Sequence, residues 1–484
     1  MKKTILLFIL LAGATVTSFA ATENSTATSR RPNILFIAID DLRPELGCYS
    51  DTQVKSPNID KLASQAVLFT RAYCQVPVCG ASRATLMTSI LPTPQRFTAA
   101  KTHVDDDAPG TVTLPQVFKE AGYTTLSNGK IFHFADDTQE RSWSEKAWHA
   151  GQSHSTSLDP ATTEKKSAAG RNRIYESPDV ADDAYPDGKT AEKTIADLRR
   201  LKAGGKPFFL ACGFIRPHLP FYAPKKYWDL YDREKIQIAI NRERPENAPK
   251  GLKGSSEYRA YDFGDYQDNT GDFHRMMRHG YYASTSYSDK LVGDVLNELE
   301  RLGLADNTIV VIWGDHGWHL GEHDFWGKHN TLNNAVRVPL IVKVPGKAAG
   351  QKSDALVGVY DIFPTLCALA NLSVPDAAQG RSFVPLLENP KQSFRDVVYT
   401  RYGKGDAVVT DHLIYTSYGG DGEMLYDLQK DPQENHNLAA NPERQKDLAL
   451  MQRLLKASEA TAAQAKVAKP LPRRQSDAGT DPSE

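Results

Sequence analysis

Three continuous apolar runs constrain what this chain can fold into: Asn33-Ile34-Leu35-Phe36-Ile37-Ala38-Ile39, Lys206-Pro207-Phe208-Phe209-Leu210-Ala211-Cys212-Gly213-Phe214 and Thr308-Ile309-Val310-Val311-Ile312-Trp313. None alternates as a strand with one wet face does, so each reads as a strand buried on both faces of a parallel sheet. Each ends abruptly in residues capable of chemistry: Asp40-Asp41, Arg216-Pro217-His218 and Gly314-Asp315-His316-Gly317. Open α/β sheets bind ligands beyond the carboxyl ends of their strands. Singly, an acidic pair or an Asp-His before Gly reads as a turn or a cap, but three coincident endings point to one site.

Helical patterns separate these strands. Ser56 to Leu62 opens a helix with Leu62, Ala66 and Phe69 on one face, and Leu114 to Gly122 is a shorter helix with a glycine stop. Tyr123 to Ser127 reads as a strand leading to the turn Asn128-Gly129-Lys130, and Ser288 to Leu302 as an amphipathic helix through Leu291, Val295, Leu296 and Leu299. This alternation predicts an α/β fold with a mostly parallel sheet flanked by helices. Residues 135–190 and 220–275 read as long polar excursions. Short alternating strands at Asp396–Arg401, Ala407–Thr410, Leu413–Thr416 and Met424–Leu428 predict a smaller C-terminal α+β domain with an antiparallel sheet. The expected organisation is a catalytic domain over 31–388, the smaller domain over 389–456 and a flexible Ala/Lys/Pro-rich tail over 457–484.

Lys2-Lys3, the apolar run Ile5 to Leu11 and the small residues around Ala20-Ala21 read as a signal peptide over residues 1–20, with a polar leader over 21–30. No run is long enough for a mature membrane span, so the expectation is an exported protein, in the periplasm or outside the cell. Lys plus Arg number 58 against 59 Asp plus Glu, leaving no basic field for nucleic acid. Five cysteines leave at least one unpaired, with Cys79 the candidate; whether the other four pair stays open.

Cys79-Gly80-Ala81-Ser82-Arg83 precedes the helix-forming run Ala84 to Met87. Cys79 is therefore expected at or just before a helix N-terminus, where free N–H groups and the dipole favour an anion, with Arg83 close by. In isolation this pentapeptide would read as a buried cysteine in a turn.

Taken together, Asp40-Asp41, Cys79 to Arg83, Gly129-Lys130-Ile131-Phe132-His133, Arg216-Pro217-His218, Gly314 to Trp318 and Gly327-Lys328 resemble the type I sulfatases, and within them the iduronate-2-sulfatase branch. The likeness runs from residue 31 to about residue 440, through Arg337-Val338-Pro339-Leu340-Ile341 and Leu425 to Pro432. It implies an alkaline-phosphatase-like domain and conversion of Cys79 to formylglycine (3-oxoalanine) by a maturation enzyme. It further implies one divalent cation held by Asp40, Asp41, Asp315, His316 and the hydrate oxygen of residue 79. Calcium is the first candidate; His316 stands where most of the family has Asn, and imidazole is an unusual calcium ligand, so magnesium stays open.

The resemblance assigns the remaining roles. Arg83 and Lys130 would stabilise the hydrate, and Lys130 and Lys328 would contact the sulfate. His133 would act as base and His218 as acid toward the departing sugar oxygen, two roles that could be partly exchanged. The chemistry explains the choice of residues: a thiolate would form an adduct that does not readily release sulfate, whereas a gem-diol can attack sulfur with one hydroxyl and expel sulfate with the other. Two positions depart from the family pattern, Ala81 for the commoner Pro and Ser89 where Gly is usual.

The expected function is hydrolysis of sulfate esters on a polysaccharide or oligosaccharide. The substrate could be a 2-O-sulfated uronate of heparan or dermatan type, or an algal polysaccharide such as ulvan. Arg171, Arg173, Lys225, Lys226 and Arg275 on the two excursions are candidate partners for a substrate carboxylate. The competing readings are a phosphodiesterase or phosphonate hydrolase of the same superfamily, and a non-catalytic glycan-binding protein.

Overall fold

In the computed structural model, which describes residues 31–51, 53–159 and 170–471, the three apolar runs lie side by side at the centre of one sheet. Strand β1 (Asn33–Ile39) pairs in parallel with both β4 (Phe208–Phe214) and β5 (Thr308–Gly314), and every residue of the three is buried. Beyond them run β2 (Val67–Tyr73), β3 (Thr124–Gly129), β6 (Arg337–Lys343), β7 (Gln351–Ser353) and β8 (Val357–Gly358). The order is β7-β2-β6-β5-β1-β4-β3, with β8 also on β2, and within this sheet β6 alone opposes its neighbours. Continuous apolar runs are what a doubly covered sheet demands, and two large apolar cores pack on its faces.

Helix α1 (Pro57–Ala63) starts where Ser56-Pro57 indicated but stops early. Ala66 and Phe69, expected on its apolar face, lie beyond it, and Phe69 belongs to β2 because the apolar run Val67-Leu68-Phe69, with β-branched Val67 and aromatic Phe69, joins the sheet instead. Helices α2 (Cys79–Thr88), α3 (Leu114–Glu120) and α4 (Pro186–Gly204) follow. The helix expected from Ser288 begins much earlier, so that α5 spans Gly271–Arg301. Its first half, with Phe273, Met276, Met277, Tyr281 and Tyr282, is buried and lacks the polar stripe that marks a surface helix.

The C-terminal strands β9 (Val398–Tyr402), β10 (Gly405–Val409), β11 (Leu413–Ser417) and β12 (Glu423–Asp427) form the expected antiparallel meander, with α6 (Gln445–Ala463) packed on it. Helix α6 continues past residue 457, where the tail was expected to begin; Ala462 is buried and its carbonyl accepts from Arg96. The signal peptide, the leader and residues 472–484 of the expected tail lie outside the described residues. All five cysteines are free thiols. Among the described residues no helix is long and apolar enough to cross a membrane.

The described residues from Pro32 on make one compact unit. The segment ahead of β6 is tied to the second sheet and the loop after it by Thr331 Oγ1 with Thr416 Oγ1 at 2.8 Å and the Asn333 N–H donating to Glu434 Oε2 at 2.8 Å. Glu434 is 2% exposed, and burial pushes its carboxyl from 4.5 up to about 8. Above pH 4.5 the unfolded chain releases this proton while the folded chain keeps it, so stability falls as pH rises toward about 8 and then levels. Glu434→Gln removes that fall. Its denaturation free energy should exceed that of the parent by a margin that widens from pH 5 to pH 8, reaching about 1 to 3 kcal/mol; denaturant titrations at the two pH values measure it.

Candidate active site

The three central strands end level, with Ile39 opposite both Phe214 and Gly314. Residues Asp40, Arg216 and Asp315 therefore leave the sheet at one edge. Asp40 prolongs the ladder by donating its N–H to the Phe214 carbonyl at 3.1 Å. Asp41 then turns away in the left-handed region at φ 58, a conformation that Asp tolerates better than bulkier residues. Its N–H donates to Asp315 Oδ1 at 3.1 Å, and its carbonyl accepts from the Tyr281 hydroxyl of α5 at 2.8 Å. The ends of the first and third apolar strands are thus directly bonded to each other.

Strand β3 delivers Lys130 to the same edge. The backbone there passes so closely over β4 that a Cβ at Gly213 would lie 2.0 Å from the Lys130 carbonyl oxygen. Opposite, Cys79 is the first residue of α2, whose ten residues are all buried. A Cβ at Gly80 would lie 1.8 Å from the Ala100 carbonyl oxygen, so a bare backbone is required beside Cys79. Ala81 occupies the first turn, where an N–H has no acceptor within the helix, which is why Pro and Ala are interchangeable there. Ser89 caps α2 at φ 57, a conformation that glycine adopts without cost. Its hydroxyl offsets the strain by donating to the Tyr360 carbonyl at 2.7 Å and accepting from the Gly380 N–H at 3.0 Å.

Cys79 Sγ lies 3.3 Å from Asp40 Oδ1 and 3.2 Å from His316 Nε2. His316 Nε2 is also 3.4 Å from Asp41 Oδ1 and 3.7 Å from Asp315 Oδ1. Donor atoms of Asp40, Cys79, Asp315 and His316 all lie within 4.8 Å of one another, as do those of Asp41, Cys79 and His218. His316 Nδ1 faces the Gly317 carbonyl at 3.0 Å and donates there, which leaves Nε2 as the ring atom that would meet a cation among the carboxylate oxygens. Three carboxylates with one imidazole form a hard donor set that fits a divalent ion.

Fixed cations surround the carboxylates. Arg83, fully buried, donates Nε to Asp315 Oδ2 at 3.0 Å, holds the Lys130 and Ile131 carbonyls with Nη1 and brings Nη2 to 3.4 Å from Asp40 Oδ1. Lys130 Nζ pairs with Asp40 Oδ2 at 2.5 Å, and Lys328 Nζ with Asp41 Oδ1 at 3.0 Å. Burial pushes the Asp40 carboxyl up, but Lys130, Arg83 and His218 outweigh it and hold the group well below the usual carboxylate range. At Asp41 burial prevails over Lys328 and His218, and the carboxyl is raised. Burial and then Asp40 push the Cys79 thiol up to about 11.

His218 donates Nδ1–H to the Leu219 carbonyl at 2.6 Å and points Nε2 toward the cluster, 4.0 Å from Asp41 Oδ2. Burial alone would lower its pKa, but Asp41 outweighs that and holds the imidazole charged well above its ordinary range. His133 is placed differently: three residues beyond Lys130, half-buried, with its ring edge-on to Phe134. The basic residues expected to read a substrate carboxylate are engaged within the chain. Arg173 pairs with Asp262, Lys225 with Asp229, Lys226 with Asp182 and Arg275 with Asp272, while Arg171 donates to the Arg259 carbonyl. Acidic residues of the two polar excursions satisfy four of them, two within one excursion and two across the pair.

One member of the site was not found in the sequence. Glu257, in a short helical turn (Glu257–Ala260) of the second excursion, is 5% exposed and lies 3.2 Å from His218 Nε2 and 3.1 Å from Lys328 Nζ. An acidic residue in a charged, Tyr-rich stretch carries no pattern that could have distinguished it.

Residues 32–372 match the protein family described as Sulfatase, and residues 321–461 match the family described as N-sulphoglucosamine sulphohydrolase, C-terminal. The chain is 35% identical to the iduronate 2-sulfatase of Mus musculus over 78% of its own length and 75% of the relative's, and 34% identical to that of Homo sapiens over 84% and 82%. A protein of Formosa agariphila named sulfatase is 32% identical over 94% of this chain and 92% of its own. Among solved structures, one described as a 2-O GAG sulfatase superposes with a TM-score of 0.72 at 26% identity, covering 91% of this chain and 95% of that one. A match of this extent, carried by a chain whose strand ends gather as described, makes the protein a member of the sulfatase family and a sulfuric ester hydrolase.

Proposed function

We propose that this protein is an exported sulfatase that removes sulfate esters from a sulfated carbohydrate, with formylglycine at position 79. The observation that carries this reading is the state of Cys79. A nucleophilic cysteine sits in an electropositive, partly exposed setting with its pKa depressed, whereas this thiol is 3% exposed and pushed up to about 11 between Asp40 and His316. A neutral thiol wedged among hard oxygen donors is a poor nucleophile and a poor ligand for a hard ion; an oxygen at the same point serves both purposes. As its hydrate, formylglycine supplies one hydroxyl to displace the alcohol from sulfur and a second whose proton loss reforms the carbonyl and releases sulfate. A divalent cation in the cluster would supply Lewis acidity toward the sulfuryl oxygens.

The chain's own groups do the rest. Arg83, on the same helix as residue 79, ties that helix to Asp40, Lys130 pairs with the same carboxylate, and the two add positive charge where an anionic ester must settle. Lys328, anchored on Asp41 and lying over the Trp318 ring, is positioned to contact a sulfate oxygen. His218, held charged with Nε2 facing the cluster, is suited to protonate the leaving alcohol oxygen. His133 is kept as a candidate base on the strength of the resemblance alone. For substrate we propose a 2-O-sulfated uronate, on the identity to the two iduronate sulfatases and the likeness to the 2-O GAG sulfatase. A relative of Formosa agariphila named ulvan-active sulfatase, 28% identical, keeps an algal uronate in the same class. Export rests on the pattern of residues 1–20.

Mass spectrometry of the tryptic peptide Ala72–Arg83 from active natural material should find residue 79 as the aldehyde or its hydrate; a free thiol in active material would remove the mechanism. Cys79→Ala should abolish turnover on every sulfate ester, and aryl sulfate should be cleaved in preference to aryl phosphodiester, the reverse order favouring the phosphodiesterase reading. Dialysis against a chelator should reduce kcat by at least about a hundredfold. Restoration with calcium and with magnesium, compared side by side, identifies the ion, and full activity after exhaustive chelation would count against the cation.

A further inference from the structure

Glu257 takes no part in the mechanism above, although it is buried against two of its cationic groups. Its carboxylate is shared between them: Oε1 lies 3.2 Å from His218 Nε2 and accepts from Lys328 Nζ at 3.4 Å, while Oε2 lies 3.1 Å from the same ammonium. Both groups are held elsewhere too: the opposite nitrogen of His218 is fixed on the Leu219 carbonyl, and Lys328 is tied to Asp41. Glu257 itself is fixed, its N–H donating at 3.3 Å to the hydroxyl of Ser255, which also lies 3.0 Å from His329 Nδ1. Among the described residues it forms no hydrogen bond or ion pair with Asp40, Cys79, Asp315 or His316. Among the described residues it meets the site through the imidazole and the ammonium.

We propose that Glu257 is a positioning residue that sets the spacing between the group donating to the leaving oxygen and the group contacting a non-bridging sulfate oxygen. The two oxygens of one carboxylate are spaced much as two oxygens on one sulfur are. A bridge of this kind therefore keeps Nε2–H and Nζ in the register that a single sulfate ester needs before the ester arrives. Without Glu257 the imidazole would be held by the Leu219 carbonyl and the ammonium by Asp41, each separately, and their mutual spacing would have to be set in the transition state. This inference rests on His218 being the acid.

The test compares Glu257→Gln, His218→Ala and the double variant on a series of sulfate monoesters of falling leaving-group ability: para-nitrophenyl sulfate, phenyl sulfate and sulfated monosaccharides, all read as released sulfate. An activated phenolate leaves without a proton, whereas an alkoxide does not. If His218 is the acid and Glu257 aims it, both single variants lose kcat more on the sugar sulfates than on para-nitrophenyl sulfate, the difference being about tenfold or more. The double variant then shows no steeper dependence than His218→Ala. Glu257→Gln should also raise KM on all substrates through Lys328. The dependence on leaving group does not change with the fraction of folded enzyme, so partial loss of fold cannot mimic it. A uniform loss across the series for Glu257→Gln, with His218→Ala steep, overturns the positioning role while leaving the mechanism intact. A uniform loss for His218→Ala overturns the acid assignment and this inference with it. A lowered KM for Glu257→Gln would mean that the carboxylate competes with sulfate, and would also overturn it.

Discussion

Buried negative charge at one edge of a sheet is the constraint on which the rest of this structure depends. Asp40, Asp41 and Asp315 are at most 1% exposed and their oxygens crowd within a few ångströms of one another and of Cys79. Two carboxylates about 4 Å apart repel by roughly 4 kcal/mol at an effective dielectric near 20, and burial costs each several kcal/mol more. Such a cluster persists when cations are built in beside it. Arg83, Lys130 and Lys328 are those cations, each of them buried or nearly so and each bonded to a named carboxylate. The acidic group is suited to a divalent cation, and the basic group to an anionic ester. The two compensate each other, which makes the site both stable and chemically asymmetric.

The fold serves this arrangement by its register. Because Ile39, Phe214 and Gly314 are level, the next residue of each strand emerges at the same height, and α2 is directed so that its first residue meets them. The Ser82 hydroxyl donates to the Asp315 carbonyl and Arg83 reaches both β-strand aspartates, so the helix is fastened to the strand ends by the residues that follow Cys79. Helix α5 supports the turn from beneath: the Tyr281 hydroxyl donates to the Asp41 carbonyl and accepts from the Arg43 N–H at 2.9 Å. A rigid edge of this kind suits chemistry that depends on positioning and electrostatics rather than on motion.

Two departures from the family pattern find their reasons in the same region. At Ala81 the first turn of the helix makes no demand that proline alone could meet. At Ser89 the left-handed conformation is retained and its cost is offset by two hydrogen bonds that glycine could not make.

Much of this protein could be read from the chain alone, because its central elements are locally explicit. A strand covered on both faces must be apolar throughout, and β1, β4 and β5 are; their polar endings, the helix at Cys79 and the four C-terminal strands were all visible for similar reasons. What tertiary structure decided was everything whose signal is not periodic. From Met276 to Asp289 α5 is buried at every position and carries no polar stripe, and Phe69 joined a strand because a neighbouring edge was available to it. Basic residues on the excursions found partners within the chain that composition could not pair. Glu257 became part of the site only because the chain between β4 and α5 folds back over Lys328 and His218, a contact between residues 39 and 71 positions away that no local pattern encodes.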